Sequence, residues 1–150
     1  MLCMIPRFHS NGNLPPGIHI ASFEEVCSRF GTNEHRKRLL MGMNYAFQAL
    51  KIAGCARVYL DGSFVTSKEL PNDYDCCWEP TDVKIDLLDR IFIDMSSRGR
   101  RRQKMRFGGE FFPSSTIERC SNKPFLSFFQ TDANTGESKG IVAIELGELP

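Results

Sequence analysis

The chain has 150 residues, of which 41% are hydrophobic and 25% are charged, and its formal net charge is +1. This length favours one folded domain over two, and the composition is that of a globular protein rather than a disordered one. The small net charge excludes a uniformly basic nucleic-acid-binding surface, so any strong electrostatic attraction must come from a local patch.

Two helices are predicted after residues 1–21, which we interpret as an extended arm containing prolines. The first helix begins with a capping box, in which Ser22 precedes Glu25 by three positions, and it ends at Gly31. The second helix follows a capping residue at position 32 or 33 and keeps an apolar stripe at helical spacing up to Ala53.

The remaining chain is predicted to form short strands and one further helix. The predicted strands are residues 57–60, 74–78, 107–112, 125–129 and 141–146, and the predicted helix is residues 83–95. The last two strands are expected to pair as a hairpin, because a turn-rich segment connects them. The pattern indicates an α+β protein in which N-terminal helices pack on a mixed β-sheet.

The cysteines and histidines form no recognisable metal or disulfide pattern. The sequence has no Cys-x-x-Cys pair, and its three histidines stand far from the adjacent Cys76 and Cys77. We therefore expect reduced thiols in a cytoplasmic protein and no zinc site. The N-terminal stretch has no apolar run of signal-peptide length, and nowhere do 18 apolar residues follow one another, so no membrane segment is predicted.

Two aspartates stand close together behind a glycine-serine turn. Asp73 and Asp75 are two residues apart at the strand predicted for 74–78, so both carboxylates project from one face and Tyr74 from the other. Two like charges in a dry site need a cation, and hard oxygen ligands suit Mg²⁺ or Mn²⁺. The turn at Gly62 and Ser63 permits close backbone approach to phosphate oxygens. For the two aspartates alone, an ordinary turn with an exposed Asp75 stays an open alternative.

These residues resemble the nucleotidyltransferase superfamily that includes DNA polymerase beta. There, a Gly-Ser or Gly-Gly pair is followed, after a spacer of similar length, by Asp-x-Asp or Asp-x-Glu. More closely, the chain resembles a poorly characterised group of small bacterial and phage proteins of nucleotidyltransferase type. The segments that carry this resemblance span most of the chain and are Ile5–Phe8, Leu60–Thr66, Pro71–Asp75, Phe128–Asp132 and Lys139–Val142.

The resemblance implies a nucleotidyltransferase-like fold with a two-metal site. Its activity would be transfer of a nucleoside monophosphate from a nucleoside triphosphate to a hydroxyl group of a protein, an RNA or a small molecule. Asp73 and Asp75 would bind the catalytic metals, and Gly62 with Ser63 would hold the triphosphate. The family usually adds a third catalytic, metal-binding carboxylate on a later strand, for which we favour Glu110.

Several other residues are weaker candidates for this site. Asp86 and Glu145 are alternative positions for the third carboxylate. Lys68 is a candidate phosphate contact, although an exposed surface lysine is the commoner interpretation. Arg100, Arg101 and Arg102 belong to the basic stretch 96–106, which either contacts phosphates of the triphosphate or an RNA, or is a solvated helix end or loop.

Two other functions stay open. The short chain leaves little room for an acceptor-binding domain, which favours a catalytically weak or inactive binding module, acting as a partner subunit in a toxin–antitoxin or phage-defence pair. Alternatively, residues 98–106 bind nucleic acid, with an affinity that falls steeply with salt and does not depend on Asp73 or Asp75.

Overall fold

Residues 5–150 are described by the structure, a computed structural model, and they form a mixed α/β fold compatible with the predicted α+β class. The helices are α1 (Phe23–Phe30), α2 (Glu34–Ile52), α3 (Ser97–Phe107) and α4 (Phe125–Phe129). The strands are β1 (Gly17–Ala21), β2 (Arg57–Asp61), β3 (Tyr74–Trp78), β4 (Gly109–Pro113), β5 (Ile117–Glu118), β6 (Lys123–Pro124) and β7 (Gly140–Glu145).

Five strands form one mixed sheet in the order β1-β7-β2-β3-β4. β7 runs parallel to β1 and antiparallel to β2, and β2 runs antiparallel to β3. β3 and β4 are parallel, so the chain must cross over between them, and α3 lies in that crossover. β5 and β6 form a separate antiparallel pair.

The two N-terminal helices are confirmed, and both start at side chains that cap them. Ser22 Oγ accepts a hydrogen bond from Glu25 N at 3.1 Å, and the side chain of Asn33 accepts one from Arg36 N at 2.8 Å. After α2, Gly54 has a φ of +91°, the left-handed conformation that commonly follows a helix. Local sequence therefore determines both ends of α2.

The two faces of the main sheet pack against different parts of the chain. The helical face packs against α1, α2 and α3 in a large apolar core, to which the strands contribute Val58, Leu60, Tyr74, Cys76, Trp78, Phe111, Val142 and Ile144. The opposite face, here called the cavity face, carries a smaller apolar cluster of Tyr59, Cys77, Phe112, Ile141 and Ala143 with two side chains of α4. Tyr74 points away from Asp75, as predicted, and its hydroxyl donates to Phe107 O at 2.8 Å.

The helix predicted for residues 83–95 is wrong. The segment contains two short 3₁₀ turns, at Ile85–Leu87 and Arg90–Phe92. Asp89 Oδ1 accepts a hydrogen bond from Ile91 N at 3.0 Å, and such local bonds compete with a continuous helix. Of the apolar residues whose spacing suggested a helix, Val83, Leu88 and Ile91 pack against the core without helical backbone, whereas Leu87 is exposed.

The third helix instead occupies the basic stretch. Ser96 Oγ accepts a hydrogen bond from Gly99 N at 3.1 Å and begins α3, which ends at Gly108 with a φ of +85°. Because Phe107 still belongs to α3, the strand predicted for 107–112 begins two residues later as β4. The arginines of this stretch are therefore helical residues.

The strand predicted for residues 125–129 and the terminal hairpin are also wrong. The segment forms α4, in which Phe125 and Phe129 are four residues apart and both pack against Phe112, with ring centroids 4.2 and 6.3 Å away. β7 pairs with β1 and β2 and not with this segment. A short run of apolar residues suits a strand and a buried helical turn equally well, and tertiary packing decides between them.

The arm predicted for residues 1–21 ends in regular structure, because residues 17–21 are the edge strand β1. Residues 1–4, including Cys3, lie outside the described residues. The cysteines at positions 5–150 form no disulfide. None of the helices in that part of the chain has the length and hydrophobicity that crossing a membrane requires.

Candidate active site

Three carboxylates stand side by side on adjacent strands of the cavity face. Asp61 of β2 is paired with Asp75 of β3, and Asp75 is paired in turn with Glu110 of β4. Paired residues on one face of neighbouring strands have their Cβ atoms about 5 Å apart. Asp75 therefore has a carboxylate on each side, and we call these three residues the carboxylate row.

Two lysines contact the outer members of the row. Lys139 Nζ lies 2.9 Å from Asp61 Oδ1. Lys104 Nζ, on α3, lies 3.1 Å from Glu110 Oε1 and 3.1 Å from Asp73 Oδ2. Asp75, in the middle, has no ion pair with any described residue. The negative charge that the lysines leave uncompensated is therefore concentrated at Asp75.

Burial makes ionisation of two members of the row, Asp61 and Asp75, unfavourable. Burial, together with repulsion from Asp61, Asp73 and Glu110, raises the pKa of Asp75 to about 7. Burial also raises the pKa of Asp61, although the nearby Lys139 opposes this. Hydrogen bonds to Asp73 and Glu110 raise the pKa of Lys104. The site should therefore bind a proton or a cation at Asp75 favourably.

Gly62 is required by the position of Asp75. Its φ is +87°, and a methyl group on its Cα would lie 3.0 Å from Asp75 Oδ2 and 3.2 Å from Asp75 N. The next residues form a 3₁₀ turn, in which the carbonyl of Ser63 accepts hydrogen bonds from Thr66 N at 3.2 Å and Thr66 Oγ1 at 2.6 Å. Glycine thus allows the backbone at this position to approach the central carboxylate closely.

The connection from β2 to β3 is held by Arg36, which is only 3% exposed. Its guanidinium donates hydrogen bonds to five backbone carbonyls, those of Phe30, Phe64, Thr66, Lys68 and Glu69. Four of these acceptors belong to the connection, so a charged group deep in the protein sets its course. The backbone of Lys68 is fixed in this way while its side chain is exposed.

Gln103 fixes α3 beside β4. Its side chain is fully buried, and Oε1 accepts a hydrogen bond from Phe111 N at 2.9 Å. Its Nε2 donates to Ile91 O at 2.7 Å and to Phe111 O at 3.3 Å. Because Lys104 and Glu110 neighbour these residues in sequence, the buried amide also determines how closely the lysine approaches the row.

A cavity of about 920 Å³ opens along the carboxylate row. One part of its wall is acidic and the adjoining part is aromatic, because Phe112 follows Glu110 by two residues on the same face of β4. The lining residues are Asp61, Gly62, Asp75, Met95, Ser96, Ser97, Arg100, Glu110, Phe112, Ile117, Glu118, Arg119, Phe125, Phe128, Phe129, Thr131, Ala133 and Lys139. The cavity thus joins carboxylates, cations and aromatic side chains.

The structure brings only some of the predicted site residues together. Asp75, Glu110, Gly62 and Arg100 line the cavity. Asp73 stands just before β3 and reaches Glu110 through the ammonium group of Lys104. The predicted site residues that do not line the cavity are Asp73, Ser63, Lys68, Arg101 and Arg102.

The two alternative positions for the third carboxylate lie elsewhere. Glu145 is at the opposite end of β7 from Lys139, where it forms an ion pair with Arg57. Asp86 is exposed in a 3₁₀ turn outside the cavity. Of the three candidates, Glu110 alone stands in the row with Asp75.

Sequence reasoning missed Asp61, Lys104 and Lys139 as site residues. Asp61 carries a weak signal, because it ends a predicted strand directly before Gly62 and is an unusual residue to bury. Lys104 lies in the basic stretch and Lys139 begins a segment that carries the resemblance, but neither pattern indicates a contact with the carboxylates. That contact depends on how α3 and the start of β7 pack against the sheet.

The donor atoms of the row suit a hard divalent cation, because carboxylate oxygens are what Mg²⁺ and Mn²⁺ prefer. In their present arrangement, however, the side chains of residues 5–150 provide no group of three or more Asp, Glu, His or Cys ligands that could hold a metal ion. The ammonium group of Lys104 lies between Glu110 of the row and Asp73, which stands just before β3. A metal bound by both would have to displace it.

Comparisons with known proteins give a family but no activity. No curated protein and no solved structure matches the chain. A family model matches residues 6–145, a range that includes the Gly62 turn, the carboxylate row and both lysines that contact it. The chain therefore belongs to the family of unknown function DUF6932.

Proposed function

We propose that the protein is a metal-dependent nucleotidyltransferase, which moves a nucleoside monophosphate from a nucleoside triphosphate to a hydroxyl group of a protein, an RNA or a small molecule. The observation that carries this proposal is the carboxylate row beside Gly62, with Asp75 unpaired at its centre. A nucleotidyltransferase-like fold is supported by the order of the elements, namely strand, Gly-Ser turn, acidic strand, helix and a parallel strand with a further carboxylate.

The cavity supports a nucleotide as the ligand. Its volume of about 920 Å³ is large enough for a nucleoside triphosphate. Arg100 lines it, and the Nε atom of this side chain is buried without a hydrogen-bond partner. Arg119 is a second lining arginine, and guanidinium groups match phosphate oxygens well. The partly buried ring of Phe128 offers a surface on which a base can stack.

In this proposal, the acidic residues and the arginine of the cavity have different roles in the reaction. Asp75, with Asp73 and Glu110, would hold Mg²⁺ or Mn²⁺. A metal held there would supply positive charge that stabilises an in-line displacement at phosphorus. Glu110 accepts the proton of the acceptor hydroxyl, whose oxygen forms a bond to the α-phosphorus. The bond from that phosphorus to the oxygen bridging to the β-phosphate breaks, and pyrophosphate leaves near Arg100.

Thermal unfolding of the wild type and of Asp75→Asn, with each nucleoside triphosphate and with or without Mg²⁺, tests the proposal. A ligand at 100 times its Kd adds about 2.7 kcal/mol to the free energy of unfolding, or roughly 5–10 °C in Tm for a domain of this size. We expect a shift that requires Mg²⁺ and is absent in Asp75→Asn. The matched control is Asp86→Asn, which removes an exposed carboxylate outside the cavity and should keep the shift.

A second candidate function is favoured by the absence, among residues 5–150, of an assembled group of metal ligands. A catalytically inactive domain of the same fold, serving as partner subunit in a toxin–antitoxin or phage-defence pair, would not need one. It predicts no Mg²⁺-dependent shift with any nucleoside triphosphate, and a stable complex with a partner protein in size-exclusion chromatography. Those two results together would contradict the transferase proposal.

A further inference from the structure

We propose that Lys104 is a built-in counter-ion, which takes the place of a divalent cation between Asp73 and Glu110 and must leave these carboxylates before a metal binds. The inference rests on the proposed function, because it concerns the metal which that function requires. It assigns to α3 a role in setting the metal affinity of the site.

The geometry is that of a bridge. Lys104 Nζ lies at the same distance, 3.1 Å, from Asp73 Oδ2 and from Glu110 Oε1. One positive group thereby holds together two carboxylates that come from different segments of the chain and would otherwise repel each other. A divalent cation bound to the same oxygens would do so with twice the charge, so the lysine and the metal are mutually exclusive occupants of this position.

Lys104 is free to leave, whereas Lys139 is not. The side chain of Lys104 is 44% exposed, and its carboxylate partners are 34% and 15% exposed, so the ammonium group can move into water. Lys139 is 16% exposed and its partner Asp61 only 6%, which makes that ion pair a lasting part of the structure.

The release of Lys104 is a movement of its side chain alone. The buried hydrogen bonds of Gln103 fix the backbone of α3 beside β4, and the flexible lysine stem can swing away from a helix that stays in place. Once the ammonium group has left, Asp73 and Glu110 remain close to Asp75 with no other ion pair to a described residue. Removing Lys104 should therefore produce a better metal site without changing the fold.

Binding of Mn²⁺ to the full chain without nucleotide tests this inference, with free Mn²⁺ measured by electron paramagnetic resonance. We expect Lys104→Met to bind Mn²⁺ about tenfold more tightly than the wild type, a factor that corresponds to roughly 1.4 kcal/mol. Lys104→Arg keeps the charge and should keep the wild-type affinity. The matched control is Arg101→Met, which removes one positive charge from an exposed position of the same helix and should change little.

The outcomes separate the inference from the proposed function. If the wild type binds Mn²⁺ and Lys104→Met binds it no more tightly, the counter-ion role is wrong while the metal site stands. If neither protein binds Mn²⁺, both ideas are wrong, because removal of the competing charge should expose the site. Unfolding temperatures in EDTA and in Mn²⁺ give a second readout, and the rise caused by Mn²⁺ should be larger in Lys104→Met. Should that variant fold poorly, Lys104→Gln serves instead.

Discussion

The two faces of the sheet differ in what they bury: the helical face buries apolar side chains, whereas the cavity face also buries carboxylates. On the helical face, rings pack in continuous contact from Phe64 through Tyr74, Phe111 and Phe107, with centroids 5.7–6.2 Å apart. On the cavity face, a smaller apolar cluster adjoins the carboxylate row and its lysines. Burial of rings on the first face stabilises the fold, whereas burial of carboxylates on the second works against it.

The largest expected loss of stability comes from removing a buried ring on the helical face. Phe111→Ala removes a fully buried ring and should lower the free energy of unfolding by about 3–5 kcal/mol, measured by urea denaturation. Phe128→Ala is the matched variant on the cavity face, where the ring is only partly buried, and should cost about 1 kcal/mol or less. It should weaken nucleotide binding instead. Equal losses of stability from both variants would contradict the contrast between the faces.

A smaller loss is expected from the ion pair at the edge of the row. Lys139→Met leaves the buried carboxylate of Asp61 without its partner and should destabilise the protein by about 2–3 kcal/mol at pH 8. The double variant Asp61→Asn, Lys139→Met removes that uncompensated charge and should recover most of the loss. Urea denaturation of the two single variants and the double variant measures the coupling. A double variant as unstable as Lys139→Met would mean that the lysine acts through packing and not through charge.

Much of the helical face could be predicted from sequence, because its signals are local. Ser22 and Asn33 cap their helices through hydrogen bonds to residues three positions later, and the apolar spacing within α2 identifies its buried side. β2 follows equally directly from its short run of β-prone residues, which includes Val58 and Tyr59. Such features depend on a few neighbouring residues and survive in any tertiary context that keeps the element.

The cavity face could be predicted only in part, because it depends on packing between distant segments. Asp75 and Glu110 were identified from motif and order, but their alignment with Asp61 comes from the register of three strands joined by long connections. Lys104 reaches the row because α3 begins at Ser96, and the stronger apolar periodicity before it suggested a helix in the wrong place. Neither the register of these strands nor the way α3 packs beside them can be predicted from a short stretch of sequence.

The last expected change in stability has the opposite sign. Asp75→Asn, measured without metal, should raise the free energy of unfolding at pH 8 by about 1–3 kcal/mol, because asparagine carries no charge beside the neighbouring carboxylates. Urea denaturation between pH 4 and 8 measures it. Destabilisation by asparagine at every pH would mean that Asp75 supports the fold and would remove the main reason to regard it as a binding group.

The pH dependence follows from the direction of the pKa shift. Asp75 has a pKa of about 7 in the folded protein and an ordinary value of 3.8, so between these values the folded state binds the extra proton. The wild type should therefore lose stability relative to Asp75→Asn as the pH rises from about 4 to 7, and the difference should be constant above that range. If Asp75→Asn also loses the Mg²⁺-dependent stabilisation by nucleotide, then the carboxylate of Asp75 lowers the stability of the ligand-free protein and is needed for it to bind nucleotide. A residue that only supports the fold cannot produce that pair of results.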